Sequence, residues 1–160
     1  MQIITANSRK HGAQQILVDD EDYDLVSQYT WSVRKDHKMF YAFTQIRKSD
    51  GTKTTMQMHR LIMGLDGPLV DHENHNGLDN RRENLRHATQ QQNKRNQRIR
   101  KNTSGFKGVR WDKGKWQARI MIDGIQLNIG RYFEPLDAAR AYDAAARQYH
   151  GEFASINFPS

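Results

Sequence analysis

A short polar segment of the chain carries side chains that could bind a metal ion and move a proton. Asp71 and His72 are consecutive within "VDHENHNGLDNRRENL", residues 70–85. At a strand end, consecutive side chains point to opposite faces, so one can ligate a metal while the other faces a substrate. Asn93 lies four residues past Thr89, the expected N-cap of the next helix, and could bring its carbonyl oxygen toward Asp71.

These residue types suit hydrolysis of a phosphodiester bond. Histidine can take a proton from water near neutral pH. A divalent cation stabilises charge on the phosphate and on the leaving oxygen. Because aspartate and asparagine offer oxygen ligands, we expect Mg²⁺ or Mn²⁺ rather than Zn²⁺ as the cofactor.

Other polar residues near this segment have simpler interpretations. His75 is typical of a solvated loop, and His87 of a packed position in a strand. His59, between Met58 and Arg60, is typical of a packed or capping histidine. Asn80 and Asn84 could both act only as loop stabilisers.

Composition favours a polyanionic partner. The 160 residues carry a net charge of +7 and no cysteine, which excludes disulfides and thiolate zinc sites. Residues 69–103 hold 8 basic and 4 acidic residues, the largest excess along the chain, ending in "NKRNQRIRK". This charge indicates either nucleic-acid binding or a solubilising face. Since apolar runs are short, we expect no signal peptide or membrane span, and a cytoplasmic protein.

Hydrophobic periodicity divides the chain into three segments. Residues 1–60 alternate mostly with period two and predict a small α+β scaffold: a strand at 14–19, a short helix, and a hairpin of two strands. Residues 68–98 predict two short strands joined by the polar loop and followed by a helix. "KNTSG" then breaks the pattern, which indicates a linker at 101–104.

The last segment predicts a three-stranded antiparallel sheet packed on one helix. Glycine turns at Lys113-Gly114, Asp123-Gly124 and Gly130 separate alternating runs. "EPLDAARAYDAAARQYHGEF" then predicts an amphipathic helix with Pro135 in its first turn and Gly151 past its end.

The segment "MHRLIM…VDHENHNGLDNRRENLRHATQQQNKRN" resembles the HNH, or ββα-metal, nucleases of phage homing endonucleases. The "DH", "DNRRENL" and "ATxxxN" elements occur in family order. The resemblance implies that Asp71 and Asn93 are metal ligands, that His72 is the general base, and that Asn84 ties the loop and orients His72. Many HNH enzymes have histidines at the metal positions, so this chain would be an oxygen-ligand version.

Residues 104–159 resemble the DNA-binding domain of the plant APETALA-two and ethylene-response factors, through "GVRW", "KWQARI", "IGRYF" and the alanine-rich helix. In that family the sheet enters the major groove of DNA. The resemblance implies DNA contacts on the sheet by Arg110, Trp111, Lys115, Trp116, Arg119 and Arg131. Trp116 could equally be a core residue, and we expect Phe133 to be one.

These observations predict an α+β chain in two parts. Residues 1–100 would form an HNH nuclease domain, with the scaffold at 1–60 and the ββα-metal motif at about 68–98, and residues 105–160 an APETALA-two-like domain. We expect a monomeric, site-recognising endonuclease that nicks one strand of double-stranded DNA, encoded by a phage or mobile element, with no membrane or protein partner. Lys94, Arg95 and Arg98 would track the DNA backbone between the domains. The alternative is a DNA-binding regulator that keeps a non-catalytic HNH scaffold.

Overall fold

The computed structural model describes residues 1–8, 10–36, 39–64, 67–97 and 102–159. The chain divides into two compact units, Met1–Thr89 and Gln90–Ser160, which we call unit 1 and unit 2. Both mix helices with small antiparallel sheets, which confirms the α+β class. Within the described residues, no helix is long and apolar enough to cross a membrane.

Unit 1 contains three small sheets and two short helices. Its elements are β1 (Gln2–Ser8), β2 (Gly12–Val18), α1 (Asp20–Ser27), β3 (Ser32–Asp36), β4 (Met39–Arg47), β5 (Lys53–Gln57), α2 (Met58–Met63), β6 (Leu69–His72) and β7 (Leu85–Ala88). The sheets are β1–β2, β3–β4–β5 and β6–β7, all antiparallel.

Strand alternation builds the core of unit 1. In β4, Ala42 and Thr44 are buried, and Phe40 and Ile46 pack against the same core. Intervening residues such as Phe43 therefore lie on the opposite face of the sheet. Ile16, Val18, Val26 and Met58 are fully buried in this core, and each such side chain contributes roughly 2 kcal/mol.

Unit 2 begins with a helix and continues as a three-stranded sheet covered by a second helix. Its elements are α3 (Gln90–Asn96), β8 (Val109–Asp112), β9 (Lys115–Ile122), β10 (Ile125–Tyr132) and α4 (Pro135–His150). The strand order is β10–β9–β8, with β9 in the centre. Alanines of α4 lie against the sheet, and their small size lets the helix approach closely.

Close packing of α4 depends on a glycine in the turn directly before β8. Gly108 has a φ of +76°, and a Cβ there would lie 1.9 Å from the ring of Tyr142. The glycine is therefore required both for its backbone conformation and for the space that Tyr142 fills. Tyr142 itself is buried against Ile120, Ala145 and Ala146.

Most predicted elements are confirmed, with three differences. β5 adds a third strand to the predicted hairpin of two strands, β3 and β4. β1 has no counterpart in the sequence prediction, although it pairs along its full length with β2. Gly130 was predicted as a turn, but it lies inside β10, where the register shifts between Asn128 and Gly130. The predicted turns at Lys113-Gly114 and Asp123-Gly124 are confirmed, and all four residues have positive φ.

The two units meet in sequence between Thr89 and Gln90. α3 thus belongs to unit 2, whereas β6 and β7, the strands predicted to share a motif with it, belong to unit 1. The linker predicted at 101–104 begins at a residue outside the described part of the chain. The ββα-metal motif and the domain boundary at residue 100 both stay predictions.

Candidate functional site

A network of side-chain hydrogen bonds holds the polar loop between β6 and β7. The side-chain oxygen of Asn84 accepts from the backbone N–H of Asn74 at 2.9 Å, and its Nδ2 donates to the carbonyl of Asp79 at 2.7 Å. Asn74 donates to Asp79 at 2.8 Å, and Arg81 donates to both Asp79 oxygens at 2.8 Å. Polar residues can therefore form the interior of this short loop, because their hydrogen-bonding groups pair with one another.

The same loop is fixed to the scaffold by backbone contacts. Leu17 of β2 donates to the carbonyl of Leu78 at 2.9 Å, and Asn80 donates to the carbonyl of Leu17 at 2.8 Å. On another side, a Cβ on Gly77 would lie 2.3 Å from the carbonyl oxygen of Phe40 and 2.7 Å from the Tyr41 ring. The loop thus packs closely against β4, and glycine is the residue that allows this approach.

Asp71 forms an ion pair across the β6–β7 hairpin. It is paired in register with Arg86, which donates from Nε and Nη2 to Asp71 Oδ2 at 3.1 and 3.0 Å. Both side chains are largely buried. Sequence reasoning did not anticipate this arginine, although cross-strand neighbours of opposite charge are a common pairing.

His72 is buried, and the side chains of Tyr41, His59 and Asn80 that surround it form what we call the His72 pocket. The His72 ring lies 4.9 Å from that of His59, centroid to centroid, in an edge-to-face arrangement at 89°. Tyr41 lies 5.8 Å from His72 and 5.9 Å from His59. The side-chain oxygen of Asn80 is 3.5 Å from His72 Nε2, a long contact.

Burial keeps both histidines in the neutral form. It lowers the pKa of His59 to about 3, an effect increased by the nearby His72. The pKa of His72 is also lowered, mainly by burial, against the opposing influence of Asn80, Asp71 and Asp79. A neutral imidazole is the form that accepts a proton.

Two buried polar atoms around His72 lack a hydrogen-bond partner among the described residues: His59 Nδ1 and Asn80 Nδ2. Buried polar groups are almost always paired in folded proteins, so such atoms mark positions where water, an ion or a substrate can bind. Neither His59 nor Asn80 was predicted as a site residue. Nothing in the local pattern indicates that His59, 13 positions upstream, contacts His72.

A cluster of carboxylates lies elsewhere in unit 1, where oxygens of Asp19, Glu21 and Asp22 approach within 4.8 Å of one another. Arg82 occupies this cluster. It donates from Nε and Nη2 to Asp22 at 2.9 and 2.7 Å, and its backbone N–H donates to Asp19 at 2.7 Å. The cluster is therefore accounted for as an anchor between α1 and the polar loop.

In unit 2, four predicted cations share one face of the sheet. Residues paired in register lie on the same face, and Arg110 and Arg131 both pair with Gln117 of β9. Lys115 and Arg119 alternate with Gln117 along that strand and join the same face. The α4 side of the sheet carries Ala118 and Ile120 instead, so this cationic face is the uncovered one.

Neighbouring polar side chains orient the cations on this face. Arg110 donates to Gln117 at 2.9 Å, and Arg119 donates to Gln126 at 2.9 Å. Arg131 is hydrogen-bonded to Asp112. The ammonium group of Lys115 lies 4.4 Å above the ring of Phe133. Phe133 is 77% exposed, so its expected place in the core is wrong.

The two predicted tryptophans lie on the α4 side of the sheet. Trp111 pairs in register with Trp116, and their rings meet edge to face at 5.0 Å. Trp116 packs against the core with Val109 and Ala118, whereas Trp111 is 53% exposed. Their assignment to DNA contact stays a prediction.

The predicted site residues of α3 lie in unit 2. Asn93 is half-buried and Lys94 is exposed. Arg95 donates to Asp123 at 2.7 Å, and Lys107 donates to the carbonyls of Arg95 and Gln97 at 2.7 and 2.6 Å. These bonds join α3 to the sheet. Arg98 lies outside the described residues.

Comparison with known proteins decides the family. No family model matches the chain. It is 30% identical over 145 residues to an uncharacterised HNH endonuclease of Acanthamoeba polyphaga mimivirus, an alignment that covers 86% of this chain and 71% of the relative. The chain belongs to the HNH endonucleases.

Two further relatives of this HNH protein support the two-part architecture. Protein 3.8 of Escherichia phage T7 is 29% identical over 130 residues, covering 76% of the chain and 98% of the phage protein. An AP2-like ethylene-responsive transcription factor of Arabidopsis thaliana is 40% identical over 57 residues, which is 36% of the chain and 19% of the plant protein. Homology therefore extends to both an HNH endonuclease and an AP2-type DNA-binding domain.

Proposed function

We propose that the protein is a metal-dependent DNA endonuclease that recognises a site and nicks one strand of the duplex. The observation that carries this proposal is the pocket around His72. In a chain homologous to HNH endonucleases, a neutral histidine lies beside a buried aspartate and two unpaired polar atoms. This combination suits attack by water on a phosphodiester.

The proposed mechanism assigns proton transfer to His72. With its pKa lowered by burial, the imidazole is neutral at pH 7 and can take a proton from the attacking water. The side-chain oxygen of Asn80 lies 3.5 Å from Nε2, on one edge of the ring. His59 and Tyr41 restrict the ring by packing against it and exclude bulk water.

Asp71 is the proposed ligand of Mg²⁺ or Mn²⁺ in unit 1, and Asn93, the other ligand that the HNH resemblance implies, belongs to unit 2 and stays a prediction. When bound, such an ion stabilises negative charge on the phosphate and the leaving oxygen. Asp71 fits a hard cation because it offers carboxylate oxygens at the end of β6, directly beside His72. Arg86 balances the charge of the buried carboxylate.

DNA recognition is assigned to the cationic face of unit 2. Arg110, Arg119 and Arg131 are oriented by neighbouring side chains, which reduces the entropy lost when they bind. Arginine can make paired hydrogen bonds to guanine or to phosphate. Relatives encoded by a giant virus and a phage support a protein encoded by a virus or mobile element and acting on DNA inside a host cell.

A second candidate function is a DNA-binding regulator with a non-catalytic HNH scaffold. The ion pair between Asp71 and Arg86 favours this alternative, because it gives Asp71 a structural role that requires no metal. The buried unpaired atoms beside His72 favour the enzyme, since a scaffold gains nothing from leaving them unpaired.

Incubation of the full chain with host genomic DNA separates the two functions. Breaks should appear at defined positions in Mg²⁺ or Mn²⁺ and be absent in EDTA, and sequencing of the new ends maps the site. Binding to the same DNA without any breaks in either metal would support the regulator. Cleavage in chelator, or with Zn²⁺ alone, would contradict the oxygen-ligand assignment.

A further inference from the structure

A second cationic surface lies on unit 1, outside the His72 pocket. Two shallow concavities in this unit share Arg34 in their lining. Their charged lining residues are all basic, and none of the described residues that line them is an aspartate or glutamate. Four of these cations form what we call the Arg34 surface: Lys10, Arg34, Lys48 and Arg60. The fifth, Lys35, alternates with Arg34 along β3, and its ammonium group lies 5.5 Å from the Phe40 ring on the other face of the sheet.

Charge is segregated within unit 1. Residues 1–68 contain 9 basic and 8 acidic residues, so the segment as a whole is nearly neutral. Five of those acids lie at 19–24, in and beside α1, where Arg82 is anchored. Among the described residues, Arg34, Lys35, Arg47 and Lys53 lie on the β3–β4–β5 sheet, which carries Asp36 as its acid. A local excess of one sign attracts the opposite charge even when the net charge is small.

The Arg34 surface combines cations with an aromatic ring and hydrogen-bonding groups. The guanidinium of Arg34 lies 5.1 Å above the ring of Phe43. Gln57 pairs with Phe43 in register, so its amide lies on the same face of the sheet. A planar guanidinium held over a ring, beside amide groups, is suited to phosphate and sugar contacts.

This face leads directly to the His72 pocket. Arg34 of β3 pairs in register with Tyr41 of β4, whose ring contacts His72 and His59. A polyanion that occupies the Arg34 surface therefore lies within one strand position of a residue that lines the pocket. Duplex DNA fits this arrangement because it presents phosphates continuously along its length.

We propose that the Arg34 surface is a second DNA-binding site, which holds the phosphate backbone of duplex DNA beside the His72 pocket. The proposal rests on the proposed function only in taking that DNA as the substrate. The site would act on affinity and on placement of the scissile strand, without reading bases.

Salt-dependent binding of the full chain tests the proposal without requiring cleavage. The probe is a fluorescein-labelled duplex of random sequence, about 30 base pairs long, titrated in EDTA at several salt concentrations. Arg34→Glu should weaken binding about tenfold near 0.1 M salt and lower the log–log salt slope by about one.

Arg140→Glu is the matched control. Arg140 is exposed on α4, and either substitution reduces the net charge by two, from +7 to +5. The control should retain wild-type affinity and slope. Equal effects of the two variants would mean that only net charge matters and would overturn the proposal.

Lys48→Glu repeats the test in case Arg34→Glu fails to fold, because Lys48 lies in the exposed turn after β4. Wild-type slopes in both folded variants would refute the site. Weakened binding of an RNA hairpin with unchanged duplex binding would assign the surface to RNA and also refute it. The wild type could bind DNA without ever cutting it, while Arg34→Glu still lowers the log–log salt slope. That result would refute the nuclease function and support the DNA-binding site.

Discussion

Asp71 and His72 show how far single residues can be interpreted from sequence. Their adjacency at a strand end predicts opposite environments, and the structure has one paired with Arg86 and the other among Asn80 and His59. The order of polar residues in the sequence was enough to identify Asp71 and His72 as a pair. It could not identify His59, because that contact depends on where α2 packs against the hairpin rather than on local sequence.

His72→Ala tests the proposed general base. The substitution removes the imidazole next to Asp71, so cleavage should fall by about two to four orders of magnitude. Affinity for DNA should be unchanged, because binding is assigned to other surfaces. Single-turnover cleavage and anisotropy titrations measure the two effects. His87→Ala, an exposed histidine on β7, is the control, and cutting by His72→Ala at the control's rate would rule out the mechanism.

His59 should make unit 1 sensitive to acid. Its folded-state pKa is about 3, below the value of about 6.5 expected in the unfolded chain. Its contribution to stability is therefore complete above pH 6.5 and is lost as the pH falls toward 3. At pH 5 the loss should be about 2 kcal/mol.

Urea titrations at pH 7 and pH 5 measure this effect. In His59→Leu, the difference in unfolding free energy between the two pH values should be smaller than in wild type by about 2 kcal/mol. His87→Leu should keep the wild-type difference. An identical pH response in wild type and His59→Leu would show that His59 is not held neutral by the fold.

At the scale of elements, strong hydrophobic periodicity predicted strands and helices correctly, whereas weak periodicity did not. The alternating runs of β8–β10 and the alanine-rich α4 were predicted with their turns. β1 was missed because "QIITANS" has few core residues of its own and gains its structure from pairing with β2. Gly130 was misassigned because a bulge inside a strand has the same glycine signal as a turn.

The grouping of α3 with unit 2 predicts where an autonomous fragment begins. Lys107 and Asp123 hydrogen-bond to α3, so residues 90–160 should be more stable than residues 104–160. Both fragments should bind duplex DNA without cutting it, with an affinity that decreases steeply as salt is raised. Thermal melts followed by circular dichroism compare them. Equal melting temperatures would mean that α3 does not stabilise unit 2.

At the scale of the molecule, the sequence predicts one catalytic constellation and no internal repeat that would supply a second. One base with one proposed metal site acts on one phosphate, so each binding event should break one strand. Cutting both strands would require a symmetric dimer on a site of matching two-fold symmetry. The nuclease unit followed by a DNA-binding unit suits a monomer on a non-palindromic site.

The central claim is that the His72 pocket cuts one DNA strand with the help of a divalent cation. The most direct measurement follows supercoiled plasmid carrying the mapped site, under limiting enzyme in Mg²⁺, with EDTA and His72→Ala reactions alongside. We expect open circles to accumulate in the wild-type reaction, with linear DNA absent or late, and supercoils to stay intact in both controls. Direct conversion of supercoiled to linear DNA by a dimer, or open circles formed equally by His72→Ala, would contradict it.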